Sequence, residues 1–147
     1  MKLLVINGPN LNLLGTREPD IYGSNSYAAL LDTIRQVAAD AGVRVKTVQS
    51  NHEGAIVDII QKAARRYDGI VINPAAYTHT SVAILDAIKA VGLPAVEVHL
   101  SDIQSREEFR RHSFVSPACL KTIAGKGFAG YAEAIRFLAE HIKSRAV

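Results

Sequence analysis

Short apolar runs rich in β-branched residues alternate along this chain with longer runs whose apolar positions recur every three or four residues. The first pattern fits strands, and the second fits helices that bury one face. Lys2–Asn7 (KLLVIN) reads as the first strand, Arg44–Gln49 (RVKTVQ) as the second and Gly69–Asn73 (GIVIN) as the third. Ala95–Leu100 reads as the fourth and Leu120–Ala124 as the fifth. Ser26 is placed to cap a helix that runs to about Ala41 and closes at Gly42. A second helix spans Gly54 to about Arg66, with Ile56, Ile59, Ile60 and Ala63 at helical spacing. A third covers Thr80–Val91 and stops at Gly92 and Pro94. Ser105–His112 is expected to form a short helix, because Ser105 followed by Glu108 is a capping-box pattern. The last helix is expected over about Tyr131–Lys143.

Five strands alternating with helices imply an α/β fold with a parallel sheet covered on both faces. Right-handed crossovers leave few topologies, and the expected one is a flavodoxin-like, doubly wound sheet in the order 2-1-3-4-5. The 147 residues fit one domain, with no repeat, low-complexity tract or linker. One connection is unusual. Gly8–Asn25 is 18 residues long, against the ordinary loop of about 4–6. It carries two prolines, three glycines, Arg17 and Tyr22, and a segment of that kind is often a lid, here at about 15–24.

Composition narrows the function. Seventeen Lys and Arg against 14 Asp and Glu give a net charge of +3, a mild excess that favours a small anionic ligand. The basic pairs Arg65-Arg66 and Arg110-Arg111 are short and lack interleaved aromatics, which argues against nucleic acid. The single cysteine, Cys119, excludes an internal disulfide, suits a cytoplasmic location and reads as a small buried apolar group. The run Leu3–Ile6 is too short for a signal-peptide core, and no stretch approaches a membrane span.

In a doubly wound sheet, ligands bind beyond the carboxyl ends of the strands, beside the switch in strand order. That places Asn7 and Asn10 after the first strand, Asn73–His79 after the third, and Glu97, His99 and Ser101 on the fourth at one mouth. The fourth strand alternates Val96, Val98 and Leu100 with Glu97, His99 and Ser101, although an interior strand should be apolar on both faces. Two readings are open: an edge strand with one wet face, or a polar pocket wall in which His99 exchanges protons. Arg17 and Tyr22 also have two. They are an exposed arginine and a packing tyrosine, or a pair in which the cation makes a phenol of pKa about 10 basic. Lowering that pKa by three units takes roughly 4 kcal/mol, which one close cation in a shielded site can supply. His79 would serve a helix end or a ligand, and Asn73 the backbone beside Pro74 or a ligand. Arg106 and Arg110 lie one turn apart on the expected short helix and could face one way, or pair with Glu107 at the surface. Asp86 reads as a solvated helix charge.

Rival classes have weaker support. Gly125, Gly127 and Gly130 spell G-x-G-x-x-G, but they follow the last strand with 17 residues after them, and they read as a turn rather than a nucleotide site. His52, His79, His99 and His112 lack a paired metal-ligand spacing, and no lysine lies at the expected mouth to form a Schiff base.

Six blocks carry a resemblance: Asn7–Leu14 (NGPNLNLL), Gly15–Gly23 (GTREPDIYG), Ser50–Gly54 (SNHEG), Asn73–Ala83 (NPAAYTHTSVA), Glu97–Ser101 (EVHLS) and Phe109–Ser116 (FRRHSFVS). Together, over essentially the whole chain, they resemble type II 3-dehydroquinate dehydratase. The resemblance implies a hydro-lyase of the shikimate pathway that converts 3-dehydroquinate to 3-dehydroshikimate by anti elimination through an enolate. It implies no metal, no Schiff base and no other cofactor. By the same resemblance Tyr22 is the base, Arg17 stabilises the transition state, and His99 is the acid, positioned by Glu97. Asn10 helps stabilise the enolate. Asn73, His79, Leu100, Ser101 and Arg110 bind substrate, with Arg106 a second cation near the tyrosine. The resemblance also counts Asp86 with the substrate-binding residues, at a subunit contact in trimers that assemble into a homododecamer. Asp20 and Asp102 stand where Glu and Asn are usual, and Leu85 where Arg is frequent, which leaves the subunit contact less defined.

Overall fold

Every residue from Leu3 to Ile6 is buried, and alternate residues enter different cores. This is the period of two that a strand imposes, applied to a strand with helices on both sides. The computed structural model describes residues 1–16, 20 and 25–147. Its strands are β1 (Lys2–Asn7), β2 (Arg44–Gln49), β3 (Gly69–Asn73), β4 (Ala95–His99) and β5 (Lys121–Ala124). They form one parallel sheet in the expected order β2-β1-β3-β4-β5.

The helices are α1 (Tyr27–Asp40), α2 (Glu53–Ala63), α3 (Val82–Val91) and α4 (Phe128–Arg145). Leu3, Val5, Val71, Val96 and Val98 meet α1 and α4 through Leu30, Ile34, Tyr131, Ile135 and Leu138. Leu4, Ile6, Ile70, Ile72 and Ala95 meet α2 and α3 through Ile56, Ile60, Ile84 and Ile88. Ala95 faces the α2/α3 side, so Glu97 and His99, two and four residues on, face that side too.

Three features shape the mouth of the sheet. Gly8 N–H donates to Asn73 O at 2.8 Å, and a Cβ on Gly8 would lie 2.4 Å from Pro74 O. Only glycine lets the chains leaving β1 and β3 run this close. Asn10 and Ala75, one after each of those strands, are the two described non-glycine residues with positive φ, at 67° and 53°. Ser26 caps α1 as expected, accepting from Ala29 N–H, and Ser81 caps α3 in the same way through Ile84 N–H.

The expected helix over Ser105–His112 does not form. Two single 3-10 turns, Ile103–Ser105 and Glu108–Arg110, stand in its place, separated by an extended Arg106. Asp102, not Ser105, supplies the cap, accepting from Gln104 N–H, while Ser105 Oγ donates back to Asp102 O. Gln104 Nε2 to Arg111 O and Arg111 Nε to Arg106 O then tie the segment across itself. Helix ends also differ, most at two places. α2 stops at Ala63 because Arg66 and Tyr67 both turn back to its carbonyl before the chain enters β3. α4 starts three residues before Tyr131 and includes Gly130, where a Cβ would press on Ile123 and Val98 at 3.4 Å.

Candidate active site

A pocket lies at the carboxyl ends of β1, β3 and β4, beside the switch in strand order. From β1 it takes Asn10; from β3, Asn73 and His79; from β4 and beyond, His99, Leu100, Ser101, Arg106 and Arg110. These are eight of the residues singled out from the sequence. Asp86 is exposed on α3 and does not line the pocket. Arg17 and Tyr22 lie outside the described residues.

Glu97 stands directly behind the pocket wall and is fully buried on an interior strand, so the wet-edge reading of β4 fails. An unpaired buried carboxylate would cost well over 1–3 kcal/mol, and this one is fully partnered. Oε1 accepts from His99 Nε2 at 2.7 Å, from Ser113 Oγ at 2.8 Å and from Thr78 Oγ1. Oε2 accepts from Thr122 Oγ1 and Ser113 Oγ, each at 3.1 Å. Burial alone would raise the carboxyl pKa. The hydrogen bond and charge of His99, with Thr78 and Ser113, outweigh burial and hold it below the usual carboxylate range. Glu97 therefore remains an anion, and it orients His99 by accepting the Nε2 proton.

His79 Nδ1 sits 2.9 Å from His112 O. Burial lowers its pKa, and the electrostatic influence of His99 and Arg110 lowers it further, against the bond to His112 O and the Glu97 charge. It is thus disposed to be a neutral hydrogen-bonding ring rather than a cation. The cations are Arg106 and Arg110. Arg106 Nη1 reaches Ser101 Oγ at 3.4 Å, and Arg110 Nε lies 2.9 Å from Glu107 Oε2, with Arg106 Nε 3.8 Å from the same oxygen. Glu107 is exposed, so this rim pairing is weak and open to competition from an anionic ligand. The two arginines face one region without sharing the helix expected for them.

Asn73 is fixed at both ends of its amide. Its Oδ1 accepts from Ala75 N–H at 3.1 Å, and its Nδ2 donates to Tyr131 Oη at 2.9 Å. Tyr131 Oη in turn donates to Asn7 Oδ1 at 2.7 Å. Burial pushes the Tyr131 phenol pKa up, so it acts here as a hydroxyl relay rather than an acid. The loop after β1 is braced by Asn51, whose Oδ1 accepts from Asn10 N–H at 3.1 Å and Gln49 Nε2 at 3.0 Å. Gly125 and Gly127, the first two glycines of the G-x-G-x-x-G run, form the turn before α4. Their N–H groups donate to Ser101 O at 3.1 Å and Leu100 O at 3.0 Å, holding the end of β4.

A buried carboxylate–histidine pair thus stands beside two arginines at the switch in strand order. The model of the Dehydroquinase class II family matches residues 1–139. The chain belongs to the class II dehydroquinase family. It is 53% identical over 143 residues to the 3-dehydroquinate dehydratase of Geotalea daltonii, covering 97% of this chain and 99% of the relative. It is 53% identical over 144 residues to the catabolic 3-dehydroquinase of Verticillium alfalfae, covering 98% and 96%. The crystal structure of type II dehydroquinase from Butyrivibrio crossotus superposes with a TM-score of 0.92 at 51% identity, covering 94% of this chain and 97% of that one.

Sequence reasoning placed Thr78 at the mouth without a partner and missed Ser113, Thr122 and Tyr131. The first three reach Glu97 from 19, 16 and 25 residues away, so no local spacing reveals them. Asn7 and Asn73 did leave a signal: each is an amide that ends a buried apolar strand, and they are partners in register. Among the described residues no three of His, Cys, Asp and Glu group as metal ligands, and no helix is long and apolar enough to cross a membrane.

Proposed function

We propose that this chain is a hydro-lyase that dehydrates 3-dehydroquinate to 3-dehydroshikimate, by anti elimination through an enolate and without metal or Schiff base. The observation that carries the reading is the His99–Glu97 pair, buried behind a pocket whose rim holds Arg106 and Arg110. Arg110 and Ser101 hold the substrate carboxylate, while Asn73 and His79 donate to or accept from its hydroxyls. Tyr22, kept as the phenolate by Arg17, takes the proton from the carbon beside the ketone. The electron pair moves onto the carbonyl oxygen, where Asn10 supports the enolate. The enolate then collapses to the conjugated ketone and expels the hydroxyl, which takes a proton from His99 and leaves as water. Glu97 holds the Nε2 proton, so His99 gives its proton from Nδ1 as the imidazolium and is left neutral with its remaining proton on Nε2. Arg106 is a second cation toward Tyr22. We place Asp86, exposed on α3, at a contact between subunits of trimers that build a homododecamer.

Adding 3-dehydroquinate to the purified protein tests this reading, with enone absorbance as the readout. Turnover is expected in the wild type. Tyr22→Phe and Arg17→Ala are expected to lose at least about a hundredfold in kcat with the fold intact by circular dichroism. Normal turnover in either variant removes that residue from the mechanism, and trapping of the substrate by borohydride would replace it with Schiff-base chemistry.

A further inference from the structure

The hydroxyls around Glu97 come from three separate places: Thr78 from the turn after β3, Ser113 from the segment before β5, and Thr122 from β5. Ser113 is the one whose roles are forced. Its oxygen accepts from Val115 N–H at 3.2 Å and Ser116 N–H at 3.0 Å. A hydroxyl has two lone pairs and one proton, so with both lone pairs engaged the proton is left for Glu97. Thr78 Oγ1 lies 3.3 Å from Ser113 Oγ and donates to the same carboxylate. Both Glu97 oxygens therefore meet donors that stand in for water. A protonated Glu97 would bring its own O–H against a serine that cannot reverse.

We propose that Ser113 is a positioning residue: a one-way donor that keeps Glu97 an acceptor and so fixes His99 with its Nε2 proton toward Glu97 and Nδ1 left for proton exchange. It acts through Glu97 and His99 and does not line the pocket. The proposal rests on the dehydratase reading only for its kinetic consequence. The titratable and charged groups around Glu97 are His99 on β4, His79 on the turn after β3 with Arg110 beyond it, and Cys119 before β5, whose thiol is pushed up to about 12 by burial and by the Glu97 charge. Of these, only His99 hydrogen-bonds the carboxylate.

The test uses the whole protein labelled with 15N-histidine, without substrate. In the wild type the His99 ring is expected to keep a proton on Nε2 whether or not Nδ1 also carries one, and to report protonation of Glu97, through the Nε2 shift, only at low pH. Ser113→Ala is expected to move that event to higher pH, and Thr122→Val, on the edge strand, to move it the same way by less. Ser113→Thr keeps the hydroxyl and is expected to restore the wild-type profile. In turnover, Ser113→Ala is expected to lose roughly tenfold in kcat on the acid side, the worth of one hydrogen bond to a charged group, with KM little changed. An unchanged His99 profile in folded Ser113→Ala overturns the proposal, and should that variant not fold, an unchanged profile in folded Ser113→Cys, whose thiol is a weak donor, overturns it. Absence of turnover in the wild type would instead remove the dehydratase reading and leave the NMR result to decide the role of Ser113.

Discussion

Glu97 is a carboxylate with no exposed surface, and its environment shows how that is offset. A carboxylate with no exposed surface needs its charge met by donors, and His99, Ser113, Thr78 and Thr122 supply them. Because its folded pKa lies below the ordinary 4.5, folding favours the ionised form. The stability this contributes is present above the ordinary value and is lost as pH falls through the folded one. Urea unfolding followed from pH 7 down to pH 3 should show stability falling on the acid side. Glu97→Gln should fall less steeply there, and a slope equal to that of the wild type would mean that Glu97 is not the group responsible. At this scale the sequence was partly readable. Glu97 and His99 were visible because polar residues alternated where an interior strand should be apolar. Their hydroxyl partners were not, because a serine or threonine in a loop looks the same whether it faces water or a buried carboxylate. Tyr131 was unreadable for the same reason: its ring marks a core position, and its hydroxyl needs Asn7 and Asn73 to acquire a role.

Among the elements, β1, β2 and β3 keep the bounds their sequences predict, because each is a short run rich in apolar or β-branched residues that ends at a side-chain amide, Asn7, Gln49 or Asn73. The short segment after β4 fails for a stated reason. A capping-box pattern competes there with Asp102, which sits three residues earlier and makes the cap first. α4 was shortened by reading Gly125, Gly127 and Gly130 as one turn, whereas Gly125 and Gly127 have positive φ and Gly130 lies inside the helix. Gly8 sets the spacing of β1 and β3 at the mouth. Gly8→Ala would place a Cβ 2.4 Å from Pro74 O, so the two chain ends must part. A loss of about 1–3 kcal/mol in urea unfolding is expected, with a fall in kcat because Asn10 and Asn73 move apart. Wild-type stability and activity in that variant would show that the mouth tolerates a wider gap.

Across the whole molecule, the strand order does what no single motif does. It brings residues 10, 73, 79, 99, 101, 106 and 110 to one end of a five-stranded sheet, from segments as much as a hundred residues apart. The layout was legible because alternation of element types and the crossover rule leave few choices. The mutual geometry of the side chains was not, since it depends on where loops of irregular backbone return. The central claim is that His99, held by Glu97, delivers the proton that lets the hydroxyl leave. The direct measurement is steady-state turnover of 3-dehydroquinate by folded His99→Asn beside the wild type. The account predicts a kcat reduced by about 10²–10⁴-fold with KM much less affected, as for loss of a general acid. A kcat equal to that of the wild type would contradict it.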